Sequence, residues 1–168
     1  MSGGFETVLE VVVWTLLIAA ATTDLLWGKI YNLLTFTFIA AGVILRLIVL
    51  GYSSATVSLI AIAAAFALFF PLYIIKAFAA GDVKLLMAIG AWTDIKQVLH
   101  IGLLAIIIGA LVGIPILIKR RGLKKSVKAV ASQLKGEPVK PIRMPFGPAF
   151  LCAFAFLKIA EMKGWINL

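Results

Sequence analysis

The chain is 168 residues long; 63% of them are hydrophobic and only 14% are charged, with a formal net charge of +9. A soluble domain carries about 45–50% apolar and about 25% charged residues, so this composition, with a mean hydropathy of +1.12, excludes a soluble globular fold and points to an all-α integral membrane protein. The length suits one bundle, residues 1–168 as a single transmembrane domain without a separate soluble one.

Six apolar runs follow one another. The first, Thr7–Thr23, ends on Asp24. It is not a signal peptide, because residues 1–10 hold Glu6 and Glu10 but no Lys or Arg, the wrong charge for an n-region. Leu33–Leu50 and Ala55–Phe78 are comfortable spans at about 20 residues each. Val83–Thr93 starts just after Asp82 and is short, roughly 16 Å at 1.5 Å per residue. It either borrows flanking residues or starts inside a protein-lined recess. Val98–Ile118 is a full span, and its Gly109 and Gly113 form a G-x-x-x-G pattern suited to helix packing. Phe146–Ala160 is short again and is expected to extend past Glu161 towards Trp165. The chain is thus predicted to be a bundle of six transmembrane helices. Its single cysteine, Cys152, lies in an apolar run and is expected to pack in the core, with no disulfide framework and no zinc-ligand set.

Orientation follows from Lys and Arg, which concentrate on the cytoplasmic side. Residues 119–143 hold Lys119, Arg120, Arg121, Lys124, Lys125, Lys128, Lys135, Lys140 and Arg143, nine of the sixteen basic residues, against the single acid Glu137. With this loop inside, threading back puts the N-terminus outside and the loops around Lys29 and Lys76–Lys84 inside. Within the loop, Leu123, Val127, Val130 and Leu134 recur at helical spacing while the lysines lie elsewhere around the turn. An amphipathic helix on the inner leaflet is expected, held by anionic lipids at about 1 kcal/mol per basic residue. Positive-inside topology accounts for the charge without nucleic acid as a partner.

Asp24 and Asp82 then fall at helix ends on the same, cytoplasmic, face. The chain has only seven acidic residues, and ionisable groups at or inside a bilayer are kept where they work or are paired. A close carboxylate pair shares a proton and titrates as a unit, so one member can deprotonate a water while the other polarises a carbonyl. This is the equipment of an aspartyl protease. No metal or cofactor is called for; His100 is the only histidine and lies at the outer end of the fifth run. Asp94, about 18 Å along the Asp82 helix, is expected to be a surface residue.

The stretch Gly81-Asp82-Val83-Lys84-Leu85-Leu86, followed by Gly90-Ala91-Trp92, resembles the second catalytic motif of the type IV prepilin peptidase family, membrane aspartyl proteases of the G-x-G-D class. Asp24-Leu25-Leu26-Trp27-Gly28-Lys29-Ile30-Tyr31-Asn32 is similar to the family's first motif, an Asp followed six and eight residues later by Ile and Asn. Pro145-Phe146-Gly147-Pro148-Ala149 resembles the loop that leads into the family's last helix. Two positions depart from the pattern. The first glycine of G-x-G-D is Ala79, where a positive φ would be strained, and the Pro between Ile and Asn is Tyr31, which loosens the turn. Larger members carry a cytoplasmic domain with paired cysteines and N-methylate the trimmed product; with about eight residues between the first two runs and one cysteine, the likeness is to the compact, peptidase-only branch serving Flp/Tad-type pili.

The resemblance implies an endopeptidase of the bacterial inner membrane that removes the N-terminal leader of prepilins or pseudopilins on the cytoplasmic side, after a leader glycine. Asp24 and Asp82 would be the catalytic dyad. Gly81 would set the backbone at Asp82, with Asn32, Lys84 and Gly147 in support and the Lys84 ammonium snorkelling to the interface. Two other function classes fit the same residues: a small transporter or channel using the acids as a proton relay, and a non-enzymatic factor that binds prepilin helices. Relay acids are expected near mid-bilayer, whereas these lie at helix ends.

Overall fold

The structure is a computed structural model that describes residues 2–75, 77–121 and 146–166. Among them the chain forms six helices: α1 (Ser2–Trp27), α2 (Asn32–Leu50), α3 (Tyr52–Ile74), α4 (Ala80–Trp92), α5 (Ile95–Arg121) and α6 (Gly147–Met162). Long apolar runs become helices because an apolar surrounding leaves backbone N–H and C=O groups no partners except each other. Four helices are long and apolar enough to cross a membrane: Gly4–Trp27, Asn32–Leu50, Tyr52–Ile74 and Ile95–Gly113. The other two, α4 with 13 residues and α6 with 16, reach about 20 and 24 Å at 1.5 Å per residue.

Local chemistry sets the helix ends. Gly28, at φ 62, stops α1 and donates its N–H to the Asp24 carbonyl at 2.9 Å. Gly51, at φ 80, makes the whole connection between α2 and α3 and donates to the Leu47 carbonyl. The third run does not continue helically to Phe78: the Ala77 and Phe78 N–H groups both turn back onto the Leu72 carbonyl, at 2.9 and 3.3 Å. Nor does α6 reach Trp165. It ends at Met162, Gly164 turns the chain at φ 68, and the Trp165 N–H folds back to the Ala160 carbonyl. The expected amphipathic helix lies outside the described residues; the first three residues of the basic loop, Lys119–Arg121, are the end of α5.

The shortest helix is the centre. Nine of the 13 residues of α4 are buried, as suits a helix that is apolar on every side, and it packs against α1, α2, α3 and α5. Around it, α1 packs on α6, α6 on α5, α5 on α3 and α3 on α2, whereas α1 and α2 barely touch. Close approach to α4 depends on small residues: a Cβ on Gly90 would meet the Ala61 backbone at 3.0 Å, and one on Gly42 the Ala91 carbonyl at 2.9 Å. The carbonyls left at the C-terminus of α4 are satisfied from neighbouring helices. Arg46 Nη2 donates to the Trp92 carbonyl at 2.7 Å and Ser58 Oγ to the Ala91 carbonyl at 2.9 Å. The Trp92 Nε1 donates in turn to the Phe38 carbonyl. Lys158 of α6 bonds Glu10 of α1 and its own neighbour Glu161.

Cys152 corrects its expected place in the core. It lies on the exposed side of α6. A helix facing lipid is as apolar outside as inside, so an apolar run does not reveal which of its positions point inwards.

Candidate active site

Asp24 sits three residues before the end of α1, where the negative end of the helix dipole disfavours a carboxylate. Its compensation comes from 123 residues away. Gly147, the first residue of α6, donates its backbone N–H to Asp24 Oδ2 at 2.7 Å. That N–H is one of the donors a helix start leaves unpaired, so each terminus repairs the other's defect. The contact needs a glycine: a Cβ at position 147 would lie 3.0 Å from the Ala21 Cα and from the Asp24 Cβ, and 3.1 Å from the Ala20 carbonyl oxygen.

Asp82 is the third residue of α4, at the favourable positive end of that helix. Its Oδ2 reaches back to accept the Ala79 N–H at 2.9 Å, the carboxylate half of a capping box. Both carboxyl-bearing residues are buried, Asp24 8% and Asp82 4% exposed, and they stand at one end of the bundle, where the Phe78–Phe146 ring contact links the segment that holds Asp82 to the Gly147 turn that holds Asp24. Two carboxylates brought close can hold one proton between them and act as an acid and a base at once.

The remaining motif residues gather at the same end of the bundle. Gly81 fits under the turn between α1 and α2, where a Cβ would stand 3.2 Å from the Ile30 Cβ. Lys84 Nζ donates to Asn32 Oδ1 at 2.9 Å and lies over the Phe36 ring, 5.0 Å from its centroid. The ammonium is therefore fastened to the start of α2, where Asn32 offers an acceptor within the side chain's reach. The strain expected at Ala79 is absent: its φ of −84° and ψ of 157° are extended values that any residue adopts. Tyr31, at φ −74° and ψ 135°, occupies the conformation a proline would hold, so the second helix starts as the proline pattern would start it.

Phe78 and Phe146 carry weight that the motif spacing does not reveal. Their rings meet with centroids 4.5 Å apart, and Phe69 packs on Phe78 at 4.8 Å. One phenylalanine precedes the Gly81-Asp82 step and the other adjoins Gly147, so the pair ties the segment before Asp82 to the partner of Asp24. Gly109 of α5 lies directly under the Phe146 ring, which gives that glycine a specific neighbour. The only sequence signal was a phenylalanine just upstream of each of two glycine turns.

Asp94 stands apart. It caps α5 by accepting the Gln97 N–H at 2.7 Å, and lines a cavity of about 150 Å³ with Glu6, Glu10, Arg46 and Gln97 at the end of the bundle away from Asp24 and Asp82. His100 Nδ1 is 2.7 Å from the Lys96 carbonyl on an exposed helix face. Among the described residues no cluster of His, Cys, Asp or Glu could hold a metal ion.

Comparison with known proteins yields one match. The model of the type IV leader peptidase family matches residues 11–114, a stretch that includes Asp24, Asn32, Gly81, Asp82 and Lys84. No curated protein and no solved structure matches the chain.

Proposed function

The chain belongs to the type IV leader peptidase family, and we propose that it is an aspartyl endopeptidase whose dyad is Asp24 and Asp82, removing the leader of a prepilin or pseudopilin. The observation that carries this reading is the placement at one end of the bundle of two buried carboxyl groups, from the C-terminal end of α1 and the N-terminal end of α4, whose supporting segments meet through Phe78 and Phe146. In the proposed reaction the ionised carboxylate takes a proton from water as the water oxygen attacks the scissile carbonyl carbon. The protonated partner gives its proton to the carbonyl oxygen. Collapse of the tetrahedral intermediate breaks the C–N bond: the proton held by the first carboxyl group passes to the departing amine, and the second carboxylate takes a proton back from a hydroxyl of the intermediate, which leaves as a carboxylic acid and restores the one-proton pair. The Gly147 N–H and the Ala79 N–H, both main-chain donors, hold the two carboxyl groups in place.

The same proposal sets the chain in the bacterial inner membrane with six spans, the N-terminus outside, the site at the cytoplasmic face and residues 119–143 against anionic lipids of the inner leaflet. Exposed aromatic residues near the helix ends support two boundaries, Trp27 and Tyr31 beside the aspartates and Tyr52 and Trp165 at the far end, since Trp and Tyr favour membrane–water interfaces. The short α4 and α6 fit if they begin in a recess at the site. Cleavage is tested by co-expression with a prepilin and a gel shift for leader loss; absence of any cleavage refutes the enzyme reading and favours a prepilin-binding factor. Topology is tested by thiol labelling of Ser126→Cys, and labelling from the periplasmic side refutes the orientation.

A further inference from the structure

Asp24 and Asp82 are each held by a main-chain N–H, and in both cases the residue before the donor is a phenylalanine. Phe146 precedes Gly147, whose N–H donates to Asp24 Oδ2 at 2.7 Å, and Phe78 precedes Ala79, whose N–H donates to Asp82 Oδ2 at 2.9 Å. Each ring thus belongs to the residue one peptide bond before the group that holds a carboxylate. The two rings touch, with centroids 4.5 Å apart and planes at 43°. Helix packing supplies no substitute for this contact, since α4, which starts beside Asp82, and α6, which starts beside Asp24, do not pack along each other.

The ring pair is braced on both sides. Behind Phe78 stands Phe69 of α3 at 4.8 Å, and Phe69 meets Phe150 of α6 at 5.6 Å; Phe69 and Phe150 are fully buried. The Phe150 N–H returns to the Phe146 carbonyl at 3.3 Å, so the four phenylalanines form a closed circuit. The Phe146 ring also lies on α5 at Gly109, where a Cβ would stand 2.8 Å from the ring Cδ1 and closer still to Cε1. Carbon atoms in ordinary contact keep about 3.5–4.0 Å. Phe146 is therefore gripped between a glycine that leaves it no spare room and a ring backed by two buried ones. A reacting pair needs such bracing, because supporting side chains with locked rotamers are what hold a site to within about 0.5 Å.

We propose that Gly109, Phe146 and Phe78 are positioning residues that set the spacing of the two carboxyl groups: Gly109 seats the Phe146 ring, that ring bears on Phe78, and the N–H groups that follow the two rings hold Asp24 and Asp82. This inference rests on the leader-peptidase reading, which makes the spacing of the pair matter for the reaction. A glycine in a G-x-x-x-G pattern ordinarily admits a neighbouring helix backbone. At Gly109 the space is taken instead by the side chain that immediately precedes Gly147. A methyl group added on α5 therefore acts first on the turn that holds Asp24, although the two residues lie in different helices and 85 positions apart in the chain.

The test is Gly109→Ala, read in two ways. Detergent-solubilised protein, isotope-labelled for NMR at the nitrogen of its 14 glycines, gives one amide signal per glycine, and Gly147→Ala identifies the Gly147 signal by its disappearance. In Gly109→Ala that signal should move towards the position it takes in Asp24→Leu, where the acceptor is gone. The second reading uses a model substrate with a polar leader ending in glycine and an apolar helix of about 20 residues. Its kcat should fall by about 100-fold, the scale of a misplacement of about 1 Å, with KM unchanged, as for an interaction that serves the transition state alone. Gly109→Ala/Phe146→Leu, in which the smaller side chain makes room for the methyl group, should recover most of the lost kcat. An unmoved Gly147 signal in Gly109→Ala, a loss in KM instead of kcat, or no recovery in the double variant each overturns the proposal. Mispacking of α5 alone would lower the melting temperature and leave the Gly147 signal in place. Should Gly109→Ala fail to insert, Phe146→Leu carries the test from the other side of the contact: its kcat should fall on the order of tenfold, for a smaller misplacement, and a wild-type kcat overturns the proposal. If the wild-type chain leaves the substrate uncut, the cleavage reading falls, and the Gly147 signal in Gly109→Ala alone decides whether Gly109 and Phe146 position Asp24.

Discussion

Replacing Gly147 by alanine should damage the site more than its single added methyl suggests. The new Cβ would stand 3.0 Å from the Ala21 Cα and from the Asp24 Cβ, and 3.1 Å from the Ala20 carbonyl oxygen. Ordinary carbon contacts lie at about 3.5–4.0 Å, so the first turn of α6 must withdraw by roughly 0.5–1 Å. Two of the three neighbours are α1 backbone atoms, which cannot rotate aside. Withdrawal stretches the 2.7 Å bond from the Gly147 N–H to Asp24 Oδ2 towards the limit of a hydrogen bond. Overpacking of this kind costs about 1–3 kcal/mol, and losing a hydrogen bond to a charged acceptor about 1.5–3 kcal/mol.

The effect on rate follows from position. A misplacement of about 1 Å at a reacting group can cost on the order of 100-fold, and Asp24 is the group displaced. Gly147→Ala should therefore cut leader removal by about 100-fold while the protein still inserts and extracts as a monodisperse species. Gly28→Ala is the control. Gly28 has φ 62 but no atom within 4 Å of its added Cβ, so that variant bears only the left-handed strain of about 1–2 kcal/mol and should cleave nearly as well as wild type. The assay is the time course of leader loss in membranes containing equal amounts of each variant. Wild-type cleavage by Gly147→Ala, in folded protein, would mean that Asp24 does not depend on α6 for its placement.

The residues show why some of this was legible in sequence and some was not. Apolar runs gave the helices and their order, because backbone pairing within a helix is the available solution where water is absent. Helix ends shifted wherever a carbonyl took an unforeseen donor, as the Leu72 carbonyl does for both Ala77 and Phe78. Burial could not be read at all. Leu33 is 81% exposed and Leu85 fully buried, yet both are leucines in apolar runs, and lipid removes the polar–apolar contrast that marks faces in water. The family resemblance located Asp24, Asp82 and their neighbours in the chain. It did not reveal that the partner of Asp24 is a backbone N–H from the far side of the sequence, since a main-chain donor leaves no signature beyond a glycine. Arg46, buried and holding the end of α4 through the Trp92 carbonyl, lies in no motif, and nothing in its neighbours along the chain marks the partner it finds.

Asp24→Asn and Asp82→Asn should each abolish leader removal in protein that still folds, with the double variant no worse than either single one because the pair acts as a unit; near wild-type cleavage by either excludes that residue from the chemistry. Asp94→Asn, at the other end of the bundle, should cut normally. Arg46→Met should lower the thermal stability of the detergent-solubilised protein, since it leaves the buried Trp92 carbonyl unpaired at a cost of about 1–3 kcal/mol, and an unchanged melting temperature would show that carbonyl to be otherwise satisfied. The two departures from the family pattern give the last test, and here the structure predicts tolerance in both directions. Tyr31 already holds φ −74°, inside the range that a proline ring imposes, so Tyr31→Pro should retain cleavage and gain a few tenths to about 1 kcal/mol by narrowing the unfolded ensemble. The same substitution removes the Tyr31 ring from Trp27, 6.2 Å away by centroids, which offsets part of that gain. Ala79→Gly supplies a freedom that an extended residue at φ −84° does not use, so it should leave cleavage unchanged and lose at most about 1 kcal/mol in backbone entropy. A large rise in cleavage with Ala79→Gly would refute this account, because it would mean that the working enzyme passes through a conformation at position 79 that only glycine can reach.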